Sequence, residues 1–228
     1  MDINQLTKID ERILFRTEVG SHMWKMATPE SDRDIVTVYA EDILPILEGR
    51  RISTGKPQRS YHIRDLVGEH DIDEQFFEIN HLINLLCKGN VNAIWAVTSP
   101  MVISTSDAHQ RLFAIVNTHM AMSILPSIAG MAMSQWNDAK KREKVKDPMK
   151  SKSTAVRTLR FGYNMICMRR FMYHWVPFLD YTEAEYNDLL AATMIALSHS
   201  DLPEKIDETD YRIFLRDLRL KQIEMMKL

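Results

Sequence analysis

Two kinds of apolar spacing divide the chain near Ser104. Before it, apolar residues fall in short runs. Ile13-Leu14-Phe15-Arg16-Thr17-Glu18-Val19 reads as a strand, and the β-branched and aromatic run Ile35-Val36-Thr37-Val38-Tyr39 reads as a second. Leu6 and Ile9 predict a short helix over residues 4–11, and Ile43, Leu44, Ile46 and Leu47 another over 41–49, ended by Gly49. Pro45 suits that helix only in its first turn, where a missing N–H costs nothing. The polar residues 50–61, with Gly55-Lys56-Pro57, predict a turn or flexible loop. From about Phe76 the spacing turns helical through Ile79, Leu82, Ile83 and Leu86, and Gly89 is a natural stop.

Beyond Ser104 the helical period dominates. Helices are predicted over 109–125, 127–144, 153–175, 183–197 and 208–227, with Pro126 and Pro177 as kinks or boundaries. Thr182 and Glu185 form a capping box that opens the fourth of these. The pattern predicts an α+β chain: a small mixed-sheet domain over 1–104, then a helical domain over 105–228 that closes over it.

Composition narrows the classes. The 228 residues are 45% hydrophobic and 26% charged, enough to bury a core and unlike a disordered chain. Net charge is −2, so contact with nucleic acid needs a local basic patch. Cys87 and Cys167 lie in apolar helical patterns without Cys-x-x-Cys spacing and read as buried free thiols. The most apolar stretch, 112–136, is interrupted by Asn117, His119, Pro126, Ser127 and Gln135, too polar for a bilayer span. A cytoplasmic protein with no membrane partner is expected. The methionines in the late helices read as core filler.

The chemistry concentrates in residues 19–36. Asp32 and Asp34 stand at or just before the second strand, where residues two apart share a face. Paired carboxylates repel unless a divalent cation lies between them. Ahead of them Gly20 permits a tight turn with close backbone approach, and the Ser21 hydroxyl can hold a phosphate oxygen. Together these read as a metal–nucleotide site. Taken alone, Ser31-Asp32-Arg33-Asp34 is also what a solvated turn looks like.

Gly20-Ser21 with Asp32-Arg33-Asp34, the first aspartate eleven positions after the serine, resembles the signature of the DNA polymerase beta nucleotidyltransferase superfamily. The intervening Ala27-Thr28-Pro29-Glu30-Ser31-Asp32 resembles its RNA-repair-associated branch. Met23, Trp24 and Lys25 depart from the Ala-Tyr-Gly usual there.

The resemblance implies transfer of a nucleoside monophosphate from an NTP to an acceptor hydroxyl, using two Mg²⁺ (or Mn²⁺) ions and with an RNA end as one acceptor. It implies Asp32 and Asp34 as ligands of both ions and a third carboxylate ahead of the Lys88-Gly89-Asn90 helix end. That position falls on Asp73, with Asp71 two residues away on the same strand face as the fallback and a helix N-cap as the plain alternative. Gly20, Ser21 and Ser31 would serve the nucleotide.

The family's lysine within this helix is His81 here, its proline is Val91, and its glutamate is replaced near Trp95. In the helical half, Lys152, Arg157 and Arg160 loosely match the family's cationic positions. They follow a basic run through Lys140, Lys141, Arg142, Lys144, Lys146 and Lys150 that reads either as the rim of the cleft or as a solvated loop. Two other readings remain open: a non-catalytic nucleotide- or RNA-binding module, and a toxin–antitoxin nucleotidyltransferase modifying tRNA or protein.

Overall fold

The computed structural model describes residues 12–29, 31–49, 58–64, 69–141 and 147–226. The expected helix over 4–11 lies outside them. Five strands form one mixed sheet: β1 (Ile13–Val19), β2 (Arg33–Tyr39), β3 (Gln58–Arg64), β4 (Glu69–Glu78) and β5 (Met101–Ser104), in the order β3-β4-β2-β1-β5. β2 and β4 run parallel, and the other neighbouring pairs are antiparallel. In the first half the helices are α1 (Gly20–Met23), α2 (Ile43–Leu47), α3 (Ile79–Cys87) and α4 (Val91–Thr98). They are followed by α5 (Asp107–Thr118), α6 (Leu125–Lys140), α7 (Pro148–Met168), α8 (Glu183–Ser198) and α9 (Thr209–Met225). This is the α+β arrangement expected, a mixed sheet followed by helices.

Several boundaries differ from the periodicity. β4 continues to Glu78, because Phe76 and Phe77 alternate between two buried faces instead of opening a helix. β3 begins at Gln58, inside the stretch that polarity assigned to a loop, and pairs antiparallel along β4. The helix over 109–125 breaks after Thr118. Met122 N–H donates to Pro203 O at 2.8 Å and Ser123 N–H to Glu204 O at 3.0 Å, so these amides leave the helical ladder. Pro126 then falls in the first turn of α6. α7 starts earlier than predicted, at the Asp147 N-cap, and stops at Arg169 in the left-handed region (φ 53°). Cys87 is half-buried as a free thiol, whereas Cys167 is exposed on the outer side of α7.

One apolar core joins both halves of the chain, from Phe15, Val38, Phe77, Leu82 and Ile94 to Ile128, Leu159, Met165 and Phe214. Trp24 sits at its junction. Its ring meets Trp95 and Phe161 edge-on at 5.6 and 5.8 Å and leans on Tyr173 at 4.8 Å. No single helix among the described residues is long and apolar enough to cross a membrane; α5 and the Met122–Lys140 stretch reach that length only as a pair bent by 105°.

His109 gives the core a measurable pH response. It is buried on Phe15 (centroids 4.1 Å apart), its Nε2 bonds Val97 O at 3.0 Å, and its Nδ1 meets Thr105 Oγ1 at 3.0 Å. A neutral ring satisfies both contacts, with Nε2–H donating and Nδ1 accepting. Burial pushes its pKa below the ordinary 6.5. The unfolded chain therefore binds more protons in the acid range, so stability is full above about pH 6.5 and declines below it. Urea midpoints measured from about pH 5 to 8 should show this decline, and His109→Gln should flatten it.

Candidate functional site

β1 delivers Val19 to a turn that only glycine accommodates. Gly20 has φ +65°, and a Cβ built there would lie 2.0 Å from Asp34 Oδ2. The carboxylate thus rests against the bare Cα, the close approach that glycine permits. Ser21 follows within α1, whose chain is turned back by Met26 N–H donating to Ser21 O at 2.9 Å.

The parallel register of β2 and β4 pairs Asp34 with Asp73. Paired residues on neighbouring strands about 4.8 Å apart point to the same face, so the two carboxylates share it. Asp32 lies just ahead of β2 and is exposed, while Asp71 lies two positions before Asp73 and is also exposed.

Asp34 lines two adjoining cavities. One, of about 300 Å³, is bounded by Gly20, Ser21, Asp32, Asp34, Lys150, Ser151, Thr154 and Arg157, with Gln135 at its edge. The other, of about 310 Å³, is bounded by Asp34, Asp73, Gln75, Phe77, Asn92 and Trp95, among others. Burial, then Asp73 and Asp32, push the Asp34 pKa above the ordinary carboxylate range, and Lys150 and His22 pull it partway back. The balance around Asp34 therefore stays negative.

Arg157 supplies the opposite imbalance. Its side chain is buried, its guanidinium carbon lies 4.8 Å from the Trp24 ring centroid, and Nη1 reaches Met26 Sδ at 3.6 Å. Its Nε is buried without a hydrogen-bond partner among the described residues. Burial lowers its pKa, yet a guanidinium does not give up its proton in a protein. Such a cation is stabilised by an anion in the cavity it lines.

The other expected cations are engaged elsewhere. Lys152 pairs with Asp180 at 2.5 Å and lies over the Trp136 ring, and Arg160 is exposed near Tyr181. Lys140 pairs with Glu183 at 2.7 Å and Lys141 with Asp138 at 3.7 Å. Arg142, Lys144 and Lys146 lie outside the described residues. Ser31 is buried and ties its own loop, accepting from Thr28 N–H at 2.9 Å. Residue patterns alone do not single out Lys150, Ser151 or Thr154. Lys150 stands there only as one member of a basic run; its cavity position follows from the Asp147 cap that sets the start of α7.

Among the described residues no three His, Cys, Asp or Glu side chains form a closed metal cage. The donor set nonetheless fits a hard divalent ion. Mg²⁺ takes oxygen ligands, keeps several waters, and is held by one or two carboxylates together with substrate phosphates. The excess negative charge at Asp34 is what such an ion would neutralise.

The glycine-serine turn and the Asp32 and Asp34 carboxylates thus share one cavity with Lys150 and Arg157. The chain belongs to the RlaP family, the RNA repair pathway DNA polymerase beta family, whose model matches residues 2–191. It is an NTP-dependent transferase of nucleoside monophosphates. No curated protein matches the sequence.

Among solved structures, it is similar to a nucleotidyltransferase-like protein from Exiguobacterium sibiricum 255-15, at 10% identity and TM-score 0.34, covering 86% of this chain and 71% of that one. It is also similar to spectinomycin adenyltransferase AAD(9) from Enterococcus faecialis, solved with ATP and spectinomycin, at 13% identity and TM-score 0.42, covering 96% and 97%.

Proposed function

We propose that the chain transfers a nucleoside monophosphate from an NTP to an acceptor hydroxyl with two Mg²⁺ (or Mn²⁺) ions, an RNA end being the acceptor class that the family's name favours. The observation that carries this reading is that Asp34 divides two cavities, one with cations and hydroxyls and the other with neither Lys nor Arg among its described lining. Asp32, Asp34 and Asp73 would hold the ions, which supply neutralisation of charge on the attacking and leaving oxygens.

The protein's own groups do the rest. Lys150, Arg157, the Ser21 hydroxyl and the Gly20 backbone bind and orient the triphosphate in the first cavity. The acceptor hydroxyl approaches from the second and loses its proton toward Asp73. Its oxygen bonds to the α-phosphorus as the bond to pyrophosphate breaks. Residues 1–104 supply the carboxylates and residues 105–228 close over the triphosphate. Lys152 and Arg160, held or turned outward in this structure, would serve as secondary cations at the rim.

Calorimetry with Mg²⁺ and each NTP tests the reading. Ser21→Ala should weaken NTP binding by about 1–2 kcal/mol, the worth of one phosphate hydrogen bond. Equal affinity of both proteins, with and without Mg²⁺, would remove the nucleotide from this cavity.

A further inference from the structure

Arg157 lines a cavity that also holds carboxylates, yet its own contacts are neutral. It is 7% exposed, and no carboxylate among the described residues pairs with it. The Trp24 ring lies under the guanidinium carbon at 4.8 Å, and the Met26 thioether stands 3.6 Å from Nη1. An aspartate or glutamate in their place would hold the group as firmly. It would also cancel the charge and compete for the same N–H donors. An aromatic face and a sulfur fix the guanidinium and leave its charge for a ligand. The buried Nε–H, without a partner among the described residues, is a donor still to be used.

Both neutral contacts come from the turn that begins at the site. Trp24 caps the C-terminal end of α1, and Lys25 takes the left-handed region (φ 57°) that favours glycine. Met26 N–H then closes the turn on Ser21 O at 2.9 Å. Gly20 and Ser21 of this turn line the cavity, while Trp24 and Met26 hold the arginine that reaches it from α7. The Trp24 ring has no room to swing away, because it is 1% exposed and the Trp95, Phe161 and Tyr173 rings abut it.

We infer that Trp24 is a positioning residue for the nucleotide, holding the Arg157 guanidinium in place and uncompensated until the polyphosphate of an NTP pairs with it. The inference rests on the reading that this cavity takes the triphosphate, and it adds the residue that readies the cavity. Without the ring, the guanidinium spreads over other rotamers before the ligand arrives. The fraction of binding-competent protein then falls, and affinity falls by the same factor. The chemistry recognised is the phosphate chain, so the effect is the same whichever base the nucleotide carries.

The test changes the ring's electrons and keeps its shape. Mono-, di- and trifluorinated tryptophan are placed at position 24 of the full-length protein by codon suppression, and folding is checked by circular dichroism. Calorimetry then measures the Kd for Mg²⁺ with ATP, GTP, CTP or UTP, and with inorganic tripolyphosphate. Each Kd that the unmodified protein shows should rise stepwise with fluorine number, by about fivefold for the trifluorinated ring, and by the same factor for tripolyphosphate. Trp24→Leu should raise it about tenfold or more, and Trp24→Phe, which keeps an aromatic face, should recover most of that loss. In an Arg157→Gln background the fluorinated rings should change the Kd less than about twofold, since the cation they act through is gone.

NTP and tripolyphosphate affinities that ignore fluorination overturn the inference and leave triphosphate binding intact. A fluorine effect that persists in Arg157→Gln does the same, because the ring would then act through the core and not through the arginine. If the unmodified protein binds neither an NTP nor tripolyphosphate with Mg²⁺, the underlying reading falls and the inference with it.

Discussion

Asp34→Asn should abolish nucleotidyl transfer, by about 10³-fold or more in kcat/KM, while leaving the protein folded. The expectation follows from position. Among the described residues Gly20 and Asp34 line both cavities, and of the two only Asp34 carries a charge, which under the proposed function would face triphosphate and acceptor together. It also sits among like charges, Asp73 and Asp32, that raise its pKa. Removing the charge relieves that repulsion, so thermal stability should hold or rise as activity disappears, the opposite directions expected where a site stores unfavourable charge for function.

Gly20→Ala should reproduce the loss by a different route. The added Cβ would occupy the place of Asp34 Oδ2, and the left-handed φ of +65° adds strain. Quenched assays of labelled transfer, with melting curves on the same samples, check both. An Asp34→Asn variant that stays active and equally stable would remove Asp34 from the chemistry.

The largest effect on stability is expected at the far end of β4. The Glu78 side chain is fully buried and accepts from Arg219 Nη2 at 2.5 Å, from Asn80 N–H at 2.7 Å and from Glu41 N–H at 3.3 Å. Arg219 also donates to Glu41 O at 2.8 Å, and Gln222 joins at the same carbonyl at 3.1 Å. This network fastens α9 to the strand that carries Asp73. Arg219→Ala leaves a buried carboxylate without its cation and should destabilise by about 3–5 kcal/mol, roughly 10 °C in Tm for a chain of this size. The double variant Glu78→Gln with Arg219→Met should recover part of that loss, because it removes both charges together. A double variant no more stable than Arg219→Ala would show that the network acts through shape instead of charge compensation.

Local physics made much of this protein readable from its residues. The run 13–19 alternates as a strand must, and β1 spans those residues. The Thr182–Glu185 capping box is present as written, with the Thr182 hydroxyl accepting from Glu185 N–H and Glu185 accepting from Thr182 N–H. Gly20-Ser21 and Asp32-x-Asp34 are close enough along the chain that turn and strand periodicity bring them to one face without knowledge of the rest.

What escaped the sequence depends on register and on contacts between distant segments. Whether Asp73 or Asp71 stands beside Asp34 follows from the parallel alignment of β2 with β4, and a shift of two residues keeps the same face pattern while changing the partner. β3 owes its strand state to the neighbouring edge of β4, because its own polar residues favour a turn equally well. Arg157 and Lys152 lie five residues apart in one basic stretch, yet one lines the cavity beside Asp34 and the other pairs with Asp180. Charge counts along a chain cannot separate them; the packing of α7 against Trp24 and Met26 does. Residue types at short spacing were enough to point to a candidate chemistry, because the backbone dictates their geometry locally. Which third carboxylate, which cations and which walls complete the site was left to the tertiary structure, since those depend on long-range pairing that local periodicity does not encode.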